Sequence, residues 1–362
     1  MPEELTDVRQ ISRIAYGFMG SKALFAALDL GLFDIIAAQP ATLDQISEKT
    51  AVAKNRMATL LSALVALGFL VRVEKSYTNA RATQRYLVRG SDVFVGDYYR
   101  LQIDKLIFPS LLGLTDGLLG KATQSMQQML ADPDDAALFS EAQHQGSMGP
   151  AVLLSRRLNL TGCTSLLDVA GGSGAFSIVL CRRYPGLSSM ILDFPSVIEV
   201  SRRYVEASQL NSRIALIGGD ALEDDWPDHQ DVVLMSYLLS AVGESSIPTL
   251  LDRAWHALSP GGLLVLHDFM LDVNRDGPRE AALWFLFYTV QRSDSSSFTA
   301  GDLVEQLDHR GFTDINSDEL IPDLTGLVLA RKPAWVGRSD LGYAVASRVP
   351  GANLELARGS HR

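Results

Sequence analysis

A glycine-rich turn is the chemically most informative feature of this sequence. Residues 166–169 are typical of a buried strand, Gly171, Gly172 and Gly174 follow, and helical periodicity begins at Ala175. Glycines allow a ligand to approach the backbone N–H groups at the start of a helix. The turn lacks the lysine of a triphosphate-binding P-loop. It therefore predicts a nucleotide-binding strand, loop and helix of another type.

An acidic residue ends the next apolar run. Residues 189–192 predict a second strand, and Asp193 follows it, 19 residues after Gly174. A carboxylate at this spacing typically accepts hydrogen bonds from ribose hydroxyls. The simpler interpretation is a surface aspartate after a strand, but the glycine turn favours ribose binding.

Three further apolar runs also end in polar residues. Because ligands bind at the carboxyl ends of the strands in an open parallel sheet, these side chains predict one shared crevice. The runs and the residues after them are 214–217 before Asp220, 231–235 before Ser236 and Tyr237, and 263–266 before His267 and Asp268.

Four motifs together resemble the class I S-adenosylmethionine-dependent methyltransferases. The similarity is closest to the small-molecule O-methyltransferase family of plant caffeate and bacterial polyketide or phenazine enzymes, and it runs from near residue 10 to residue 333. The resemblance implies an α/β fold: a Rossmann-like, mostly parallel seven-stranded sheet with an N-terminal α-helical winged-helix dimerisation domain. It also implies S-adenosyl-L-methionine as cofactor and a homodimer that acts on a small molecule. The motifs are Asp-Val-Ala-Gly-Gly-Ser-Gly at 168–174, Leu-Asp-Phe-Pro at 192–195, Gly-Gly-Asp at 218–220 and Leu-Ser-Pro-Gly-Gly at 258–262.

The resemblance also implies roles for individual residues. In the family the glycine loop holds the methionine part of the cofactor, the acid after the second strand holds the ribose, and the acid after the third lies by the adenine amino group. Ala170 departs from the family pattern, which has a glycine there, and its small side chain is compatible with binding. The predicted cofactor-binding residues are Asp168, Gly171, Gly172, Gly174, Asp193, Phe194, Asp220, Ala221, Ser236 and Tyr237.

The position of the family's general base carries a different residue. The family pattern after the fourth strand is Leu-His-Asp-Trp, and the corresponding residues here begin Leu239-Ser240. A serine hydroxyl is not a base near neutral pH, whereas imidazole titrates close to it. Asp268, His267 and His144 are the remaining candidates for catalysis, and positioning of the acceptor alone is the alternative. Successive residues of a strand point to opposite sides, so only one of Asp268 and His267 is expected to face the crevice.

The acceptor side is predicted from a second set of residues. The segment 279–291 is apolar almost all round, which predicts a buried helix whose Trp284, Phe285 and Phe287 fill the core. Tyr237, Tyr288, Gln291 and Arg292 are expected to line the acceptor side, and Tyr288 and Gln291, three residues apart, predict a polar patch on this helix. No His-x-x-His or Cys-x-x-Cys spacing occurs, so no metal site is expected. The predicted substrate-binding residues are Tyr288, Gln291, Ser240 and Met148.

The first part of the sequence has a winged-helix pattern, for which DNA binding is the obvious function. Apolar residues at helical spacing over 8–38 are followed by two shorter helical segments, 41–50 and 54–68, and a two-stranded wing over 69–78. The chain has 32 Lys and Arg against 42 Asp and Glu, a net charge of −10. A phosphate-contacting helix needs a basic face, so the charge argues against nucleic acid and favours a protein interface.

The predicted organisation has four parts. A winged-helix dimerisation domain covers residues 1–90, a connecting helical region 91–160, the S-adenosylmethionine-binding domain 161–335, and a tail 336–362. Helices are predicted at 92–119, 124–130 and 136–158, with a break at 131–135. The two cysteines cannot form a disulfide framework, and no apolar run reaches the ~18 residues of a membrane span, so a cytoplasmic protein is expected.

Three functions are compatible with these observations. The first is methyl transfer to oxygen or carbon of a small, secondary-metabolite type acceptor without the family's histidine base. The second is an enzyme of the same fold that keeps the cofactor but catalyses decarboxylation, hydroxylation or rearrangement. The third is a ligand-sensing winged-helix regulator, which the missing basic face disfavours.

Overall fold

The N-terminal part folds as a helical unit with a small antiparallel sheet. The computed structural model describes residues 4–121 and 133–334. The predicted order of helices and wing is confirmed, and the sheet order is β1-β3-β2. The elements are α1 (Val8–Asp29), α2 (Leu32–Ala38), β1 (Ala41–Thr42), α3 (Leu43–Thr50), α4 (Lys54–Ala66), β2 (Leu70–Val73), β3 (Ser76–Asn79) and α5 (Arg81–Tyr86).

Local capping and a compact apolar cluster fix this unit. Asp7 and Thr42 each form a capping box at the start of α1 and α3, with Gln10 and Gln45 as the reciprocal partners. In the N-terminal half of α1, Ile11, Ile14 and Phe18 are 55%, 69% and 51% exposed. The buried cluster includes Leu32, Ile46, Met57, Leu61 and Leu64.

The connecting region is more irregular than the sequence pattern predicts. A π-helical segment, Tyr98–Ile107, leads into the short helices α6 (Phe108–Leu111) and α7 (Leu114–Leu118), where one helix over 92–119 was expected. Helix α8 (Pro133–Arg157) includes residues 133–135 of the predicted break, because proline is compatible with the first turn of a helix. The predicted helix 124–130 and the tail 336–362 lie outside the described residues.

A seven-stranded sheet forms the C-terminal part, with the order β6-β5-β4-β7-β8-β10-β9. The five predicted strands are parallel to one another. At one edge β10 pairs antiparallel with β8, and β9 pairs antiparallel with β10. Its elements are β4 (Ser165–Val169), α9 (Ala175–Arg183), β5 (Ser188–Asp193), α10 (Pro195–Ala207), β6 (Ile214–Gly218), β7 (Gln230–Ser236), α11 (Ile247–Ala257), β8 (Leu258–Phe269), α12 (Arg279–Gln291), α13 (Ala300–His309), β9 (Thr313–Ile321) and β10 (Thr325–Arg331).

One predicted turn is part of a strand. The apolar run 263–266 and the Pro-Gly-Gly sequence before it predict a turn over 259–262, but β8 already begins at Leu258 and shifts register before Leu263. Gly261 N–H donates to Lys332 O and Lys332 N–H donates to Gly262 O. The segment is therefore a bulge that uses its hydrogen bonds within the sheet.

The strand order places the crevice. The chain moves outward from β4 through β5 to β6 and then returns to β7 on the other side of β4, which makes the β4/β7 boundary the switch point of the sheet. Separate apolar layers cover the two faces and bury Leu167, Val233 and Leu264 in one layer and Leu166, Leu234 and Val265 in the other. No helix within 4–121 or 133–334 is long and apolar enough to cross a membrane.

Candidate active site

A cavity of about 350 Å³ lies at the carboxyl ends of the parallel strands. The strand-end loops form its floor, and α8, the π-helical segment and α12 form its walls. Its lining includes the predicted residues Gly172, Asp193, Phe194, Asp220, Ala221, Ser236, Tyr237 and Tyr288, together with Ala170, Tyr98, Tyr99, Gln102, Phe139, Gln143, Gly146, Pro150, Phe269, Trp284, Phe287 and Arg292.

The glycine loop presents backbone to the cavity. Ala170 and Gly172 line it, and both have left-handed backbone, with φ of 54° and 57°. A side chain at Gly172 would meet nothing within 4 Å, so the open space beside it is available to a ligand. Gly172 N–H donates to Asp193 Oδ2 at 2.7 Å, which ties the loop to the end of β5.

Gly171 and Gly174 do not line the cavity, although they were predicted to bind the cofactor. A Cβ at Gly171 would lie 2.8 Å from Asp168 Cγ, and one at Gly174 would lie 2.7 Å from Ile191 Cδ1. Gly174 also has a φ of 80° as the N-cap of α9. These two glycines are required by packing and backbone conformation rather than by contact with the cavity.

Asp168 lies behind the loop, not in the cavity lining. It is 1% exposed, and its Oδ2 accepts a 2.6 Å hydrogen bond from the Ser177 hydroxyl. Its Oδ1 is buried without a hydrogen-bond partner among the described residues. Burial raises the pKa of the Asp168 carboxyl to about 7. Asp168 therefore has a structural role behind the glycine loop and does not contact the cavity.

Two acidic residues at successive strand ends do line the cavity. Asp193 Oδ2 accepts from Gly172 and its Oδ1 accepts from Phe194 N–H at 2.8 Å. Burial raises the pKa of the Asp193 carboxyl to about 6. Asp220 Oδ1 accepts from Leu222 N–H at 2.8 Å. An open loop backbone beside two carboxylates fits a ligand with hydroxyl and amino donors, as a nucleoside has.

The two histidines considered for catalysis have structural partners. His267 is fully buried, with Nδ1 at 2.9 Å from Ser236 Oγ and Nε2 at 3.0 Å from Thr325 Oγ1. The Tyr237 ring lies edge-on against it at 4.6 Å. Burial lowers the pKa of His267 to about 3. His267 is thus neutral at physiological pH and does not line the cavity.

His144 lies on a different face of α8 from the cavity. The lining residues of α8 include Phe139, Gln143, Gly146 and Pro150, which share one helical face. His144 Nδ1 lies 2.8 Å from Ser173 Oγ, and its ring stacks on Tyr204 at 3.7 Å. Burial lowers the pKa of His144 to about 4.

Met148 and Gln291 also fall outside the lining residues. Met148 is half-buried, two residues from each of the lining positions Gly146 and Pro150 of α8. Gln291 is buried at the end of α12. Helical phase turns Met148 away from the cavity, whereas Gln291 shares a helical face with Tyr288 and still does not line the cavity.

Asp268 and Ser240 lie behind Tyr288, which does line the cavity. Asp268 Oδ2 accepts from Ser240 N–H at 3.0 Å, and its Oδ1 accepts from Phe269 N–H at 2.8 Å. Burial raises the pKa of Asp268 to about 6, and the backbone N–H groups of Ser240 and Phe269 oppose this rise. Burial and the Asp268 charge raise the pKa of Tyr288. The Ser240 hydroxyl is buried without a hydrogen-bond partner in the described part of the chain.

Aromatic rings form the other half of the cavity. Trp284 and Phe287 were predicted to fill the core, but both line the cavity, and Trp284 stacks on Phe269 at 4.7 Å. Phe285 and Phe287 are both buried in the core as predicted, and Phe285 packs against Phe298 at 5.5 Å. Tyr98 also lines the cavity and was not predicted from the sequence. Gly146 makes room for it, because a Cβ there would lie 2.6 Å from the Tyr98 ring.

Residues 4–121 and 133–334 contain neither a metal site nor a disulfide. No group of three or more His, Cys, Asp and Glu side chains there is arranged to hold a metal ion. The cysteines are free thiols, Cys163 half-buried and Cys181 buried.

The sheet order, the left-handed glycine loop and the two strand-end carboxylates define a class I S-adenosylmethionine-dependent methyltransferase. Comparison with family models gives an O-methyltransferase domain at residues 106–313 and an O-methyltransferase dimerisation domain at residues 12–89. The chain belongs to the O-methyltransferase family, and S-adenosylmethionine is its cofactor.

Individual relatives agree with this assignment. The tetracenomycin polyketide synthesis 8-O-methyl transferase TcmO of Streptomyces glaucescens is 30% identical over 89% of this chain and 96% of its own. The 3-hydroxy-5-methyl-1-naphthoate 3-O-methyltransferase of Streptomyces sahachiroi is 30% identical over 78% of this chain and 81% of its own. Human N-acetylserotonin methyltransferase, solved with S-adenosylmethionine, has the same fold, with a TM-score of 0.79, 23% identity and coverage of 92% and 100%.

Proposed function

We propose that this enzyme methylates a hydroxyl oxygen of a flat, polycyclic aromatic acceptor of the polyketide type. The observation that carries the proposal is a single cavity with two unlike halves. Asp193 and Asp220 line one half, and Phe269, Trp284 and Tyr288 line the other. Aromatic rings recognise planar acceptors through stacking and edge contacts. The two relatives named for polyketide and naphthoate methylation support the same acceptor class.

The half of the cavity that contains Asp193 and Asp220 is assigned to the cofactor, because its carboxylates can accept hydrogen bonds from the cofactor's hydroxyl and amino groups. When bound, S-adenosylmethionine supplies an electrophilic methyl group on a sulfonium. Asp193 has two acceptor positions left after its two backbone hydrogen bonds, which suits a ribose diol. Asp220 suits the adenine amino group, and the backbone at Ala170 and Gly172 adjoins the methionine part.

We propose that Ser240 replaces the family's histidine and that no imidazole removes the acceptor proton. The lining residues include no histidine in the part of the chain that the structure describes. Tyr288 orients the acceptor hydroxyl, and Asp268, whose charge acts on the Tyr288 phenol, takes up the proton. A phenol acidified by a neighbouring carbonyl needs little further assistance, so holding it close to the methyl group supplies much of the rate.

The proposal is tested in two steps. Calorimetric titration with S-adenosylmethionine and S-adenosylhomocysteine is expected to give micromolar binding of both. Hydroxynaphthoates and hydroxyanthraquinones are then incubated with enzyme and cofactor, and products are analysed by mass spectrometry and NMR. A gain of one methyl group on oxygen supports the proposal. Methylation on carbon, or acceptor conversion without a methyl gain, would replace it with the C-methylation or non-methylating alternative.

We infer that the active form is a homodimer formed through α1. Ile11, Ile14 and Phe18 lie on one face of α1 at spacings of three and four residues and are exposed. An apolar stripe of this kind is typical of a surface covered by another chain. The match to the dimerisation domain includes all three residues.

A further inference from the structure

The charged residues of the cavity are divided between its two halves. Asp193 ends β5 and Asp220 lies two residues after β6, both on one side of the switch point. Arg292 lines the cavity directly after α12, on the aromatic side. Arg292 is the one cationic side chain among the lining residues in the described part of the chain. A positive charge therefore lies where the acceptor, not the cofactor, is expected.

Arg292 lies directly after the acceptor-facing side of α12. Trp284 and Tyr288 are four residues apart on one face of the helix, and Arg292 is the first residue after it, with extended backbone. All three line the cavity. The Arg292 side chain is 28% exposed, so the surrounding protein screens its charge less than bulk water would.

Asp294 holds the guanidinium but leaves part of it available. Arg292 Nε donates to Asp294 Oδ1 at 3.0 Å and Nη2 donates to Asp294 Oδ2 at 3.3 Å. The Arg292 hydrogen bond lowers the pKa of Asp294. Gly243 allows this arrangement, because a Cβ there would lie 1.8 Å from Asp294 Oδ2.

The remaining guanidinium hydrogens match a carboxylate. Arginine has five N–H groups, and the bidentate pair with Asp294 uses one on Nε and one on Nη2. Nη1 donates to no acceptor within residues 4–121 and 133–334. The outer edge, formed by Nη1 and Nη2, therefore still offers two parallel donors of the kind that bind a carboxylate bidentately.

We infer that Arg292 binds a carboxylate of the acceptor, and that the enzyme selects aromatic hydroxy acids over uncharged phenols. This inference rests on the proposed function, since it names the acceptor of the same cavity. The competing role is structural: Arg292 lies at the C-terminal end of α12, where a cation interacts favourably with the helix dipole. A structural role would not distinguish an acid from its ester.

The test is a matched set of acceptors and variants. A hydroxynaphthoic acid, its methyl ester and the corresponding naphthol are titrated calorimetrically into full-length enzyme saturated with S-adenosylhomocysteine. The variants are R292M, R292K and R279M; Arg279, on the first turn of α12, is 83% exposed and does not line the cavity. Thermal unfolding and S-adenosylhomocysteine affinity check that each variant is folded.

Wild type and R279M are expected to bind the acid about tenfold or more tightly than the ester, as a charge-assisted bidentate pair allows. In R292M that ratio falls to about one, and R292K keeps part of it, because lysine retains charge without the planar fork. Equal affinity for acid and ester in wild type, equal weakening of both in R292M, or binding of neither compound would overturn the inference.

Turnover separates this inference from the proposed function. Each acceptor is also incubated with enzyme and S-adenosylmethionine, and the masses of the products are measured by mass spectrometry. Selective binding of the acid without methylated product would refute O-methylation of this class but leave the Arg292 inference standing. Methylation of ester and naphthol as readily as the acid would leave the proposed function standing and refute the inference.

Discussion

Replacement of Asp193 by asparagine tests the cofactor half of the cavity without knowledge of the acceptor. The side chain keeps its size but loses its charge, and an NH₂ group takes the place of one acceptor oxygen. Asp193 now uses one position on each oxygen for Gly172 and Phe194 N–H. In the variant, one of these donors or one ribose hydroxyl loses its partner.

The magnitude follows from the bonds at risk. A hydrogen bond to a charged group contributes about 1.5–3 kcal/mol, so loss of one and weakening of a second predicts about 2–3 kcal/mol. At 1.4 kcal/mol per factor of ten, D193N is expected to bind S-adenosylhomocysteine about 30- to 150-fold more weakly. Because burial raises the pKa of Asp193 to about 6, wild-type affinity is also expected to fall as pH drops below about 6.

The assay is isothermal titration of the purified proteins between pH 5 and 8. D308N is the matched control, since Asp308 is exposed on α13 and away from the cavity. Thermal unfolding confirms that D193N is folded. An affinity for S-adenosylhomocysteine equal to that of wild type, in a folded D193N, would refute the assignment of Asp193 to the ribose. A pH-independent wild-type affinity would show that the Asp193 charge is not involved.

Three further predictions concern the base, stability and assembly. In D268N, kcat is expected to fall about 100-fold, and the rise of kcat/KM with pH through about 6 is expected to disappear, because the ionised carboxylate accepts the proton; a loss equal at every pH between 5 and 9 would contradict this. Because burial raises the pKa of Asp168 to about 7, the free energy of unfolding of wild type is expected to fall by up to about 4 kcal/mol as pH rises through about 7. Urea unfolding of D168N should therefore depend less on pH than that of wild type. Equal pH dependence of the two proteins would refute this effect of Asp168. I14D should shift the protein from dimer to monomer in analytical ultracentrifugation, whereas V273D, at a position 85% exposed on the loop after β8, should not; a dimeric I14D would exclude this face of α1.

The sequence by itself determined the elements that hold the cofactor. Strand, glycine turn and helix follow one another within residues 166–176, so their signal is local and needs no knowledge of the rest of the chain. The acids Asp193 and Asp220 were found for a similar reason, because each follows directly on a strand and parallel strands bring their carboxyl ends to one edge. The winged-helix unit was likewise set by periodicity within short windows.

Only the tertiary structure decided which side chains face the cavity. A helix turns each residue by a fixed angle, so Gln143 lines the cavity and its neighbour His144 packs on Tyr204. On β8, Phe269 reaches the cavity while His267 is covered by Tyr237. Such differences depend on how each element packs against its neighbours, which no local pattern records.

The acceptor half was the least predictable part for the same reason. Tyr98, Gln143 and Trp284 belong to segments far apart in the chain, and they meet because the π-helical segment, α8 and α12 close over the sheet. Tyrosine and tryptophan fit a core or a cavity wall equally well. The sequence therefore determined what the enzyme binds as cofactor through contiguous motifs, and the tertiary structure decided what surrounds the acceptor, because that surface exists only after distant elements pack together.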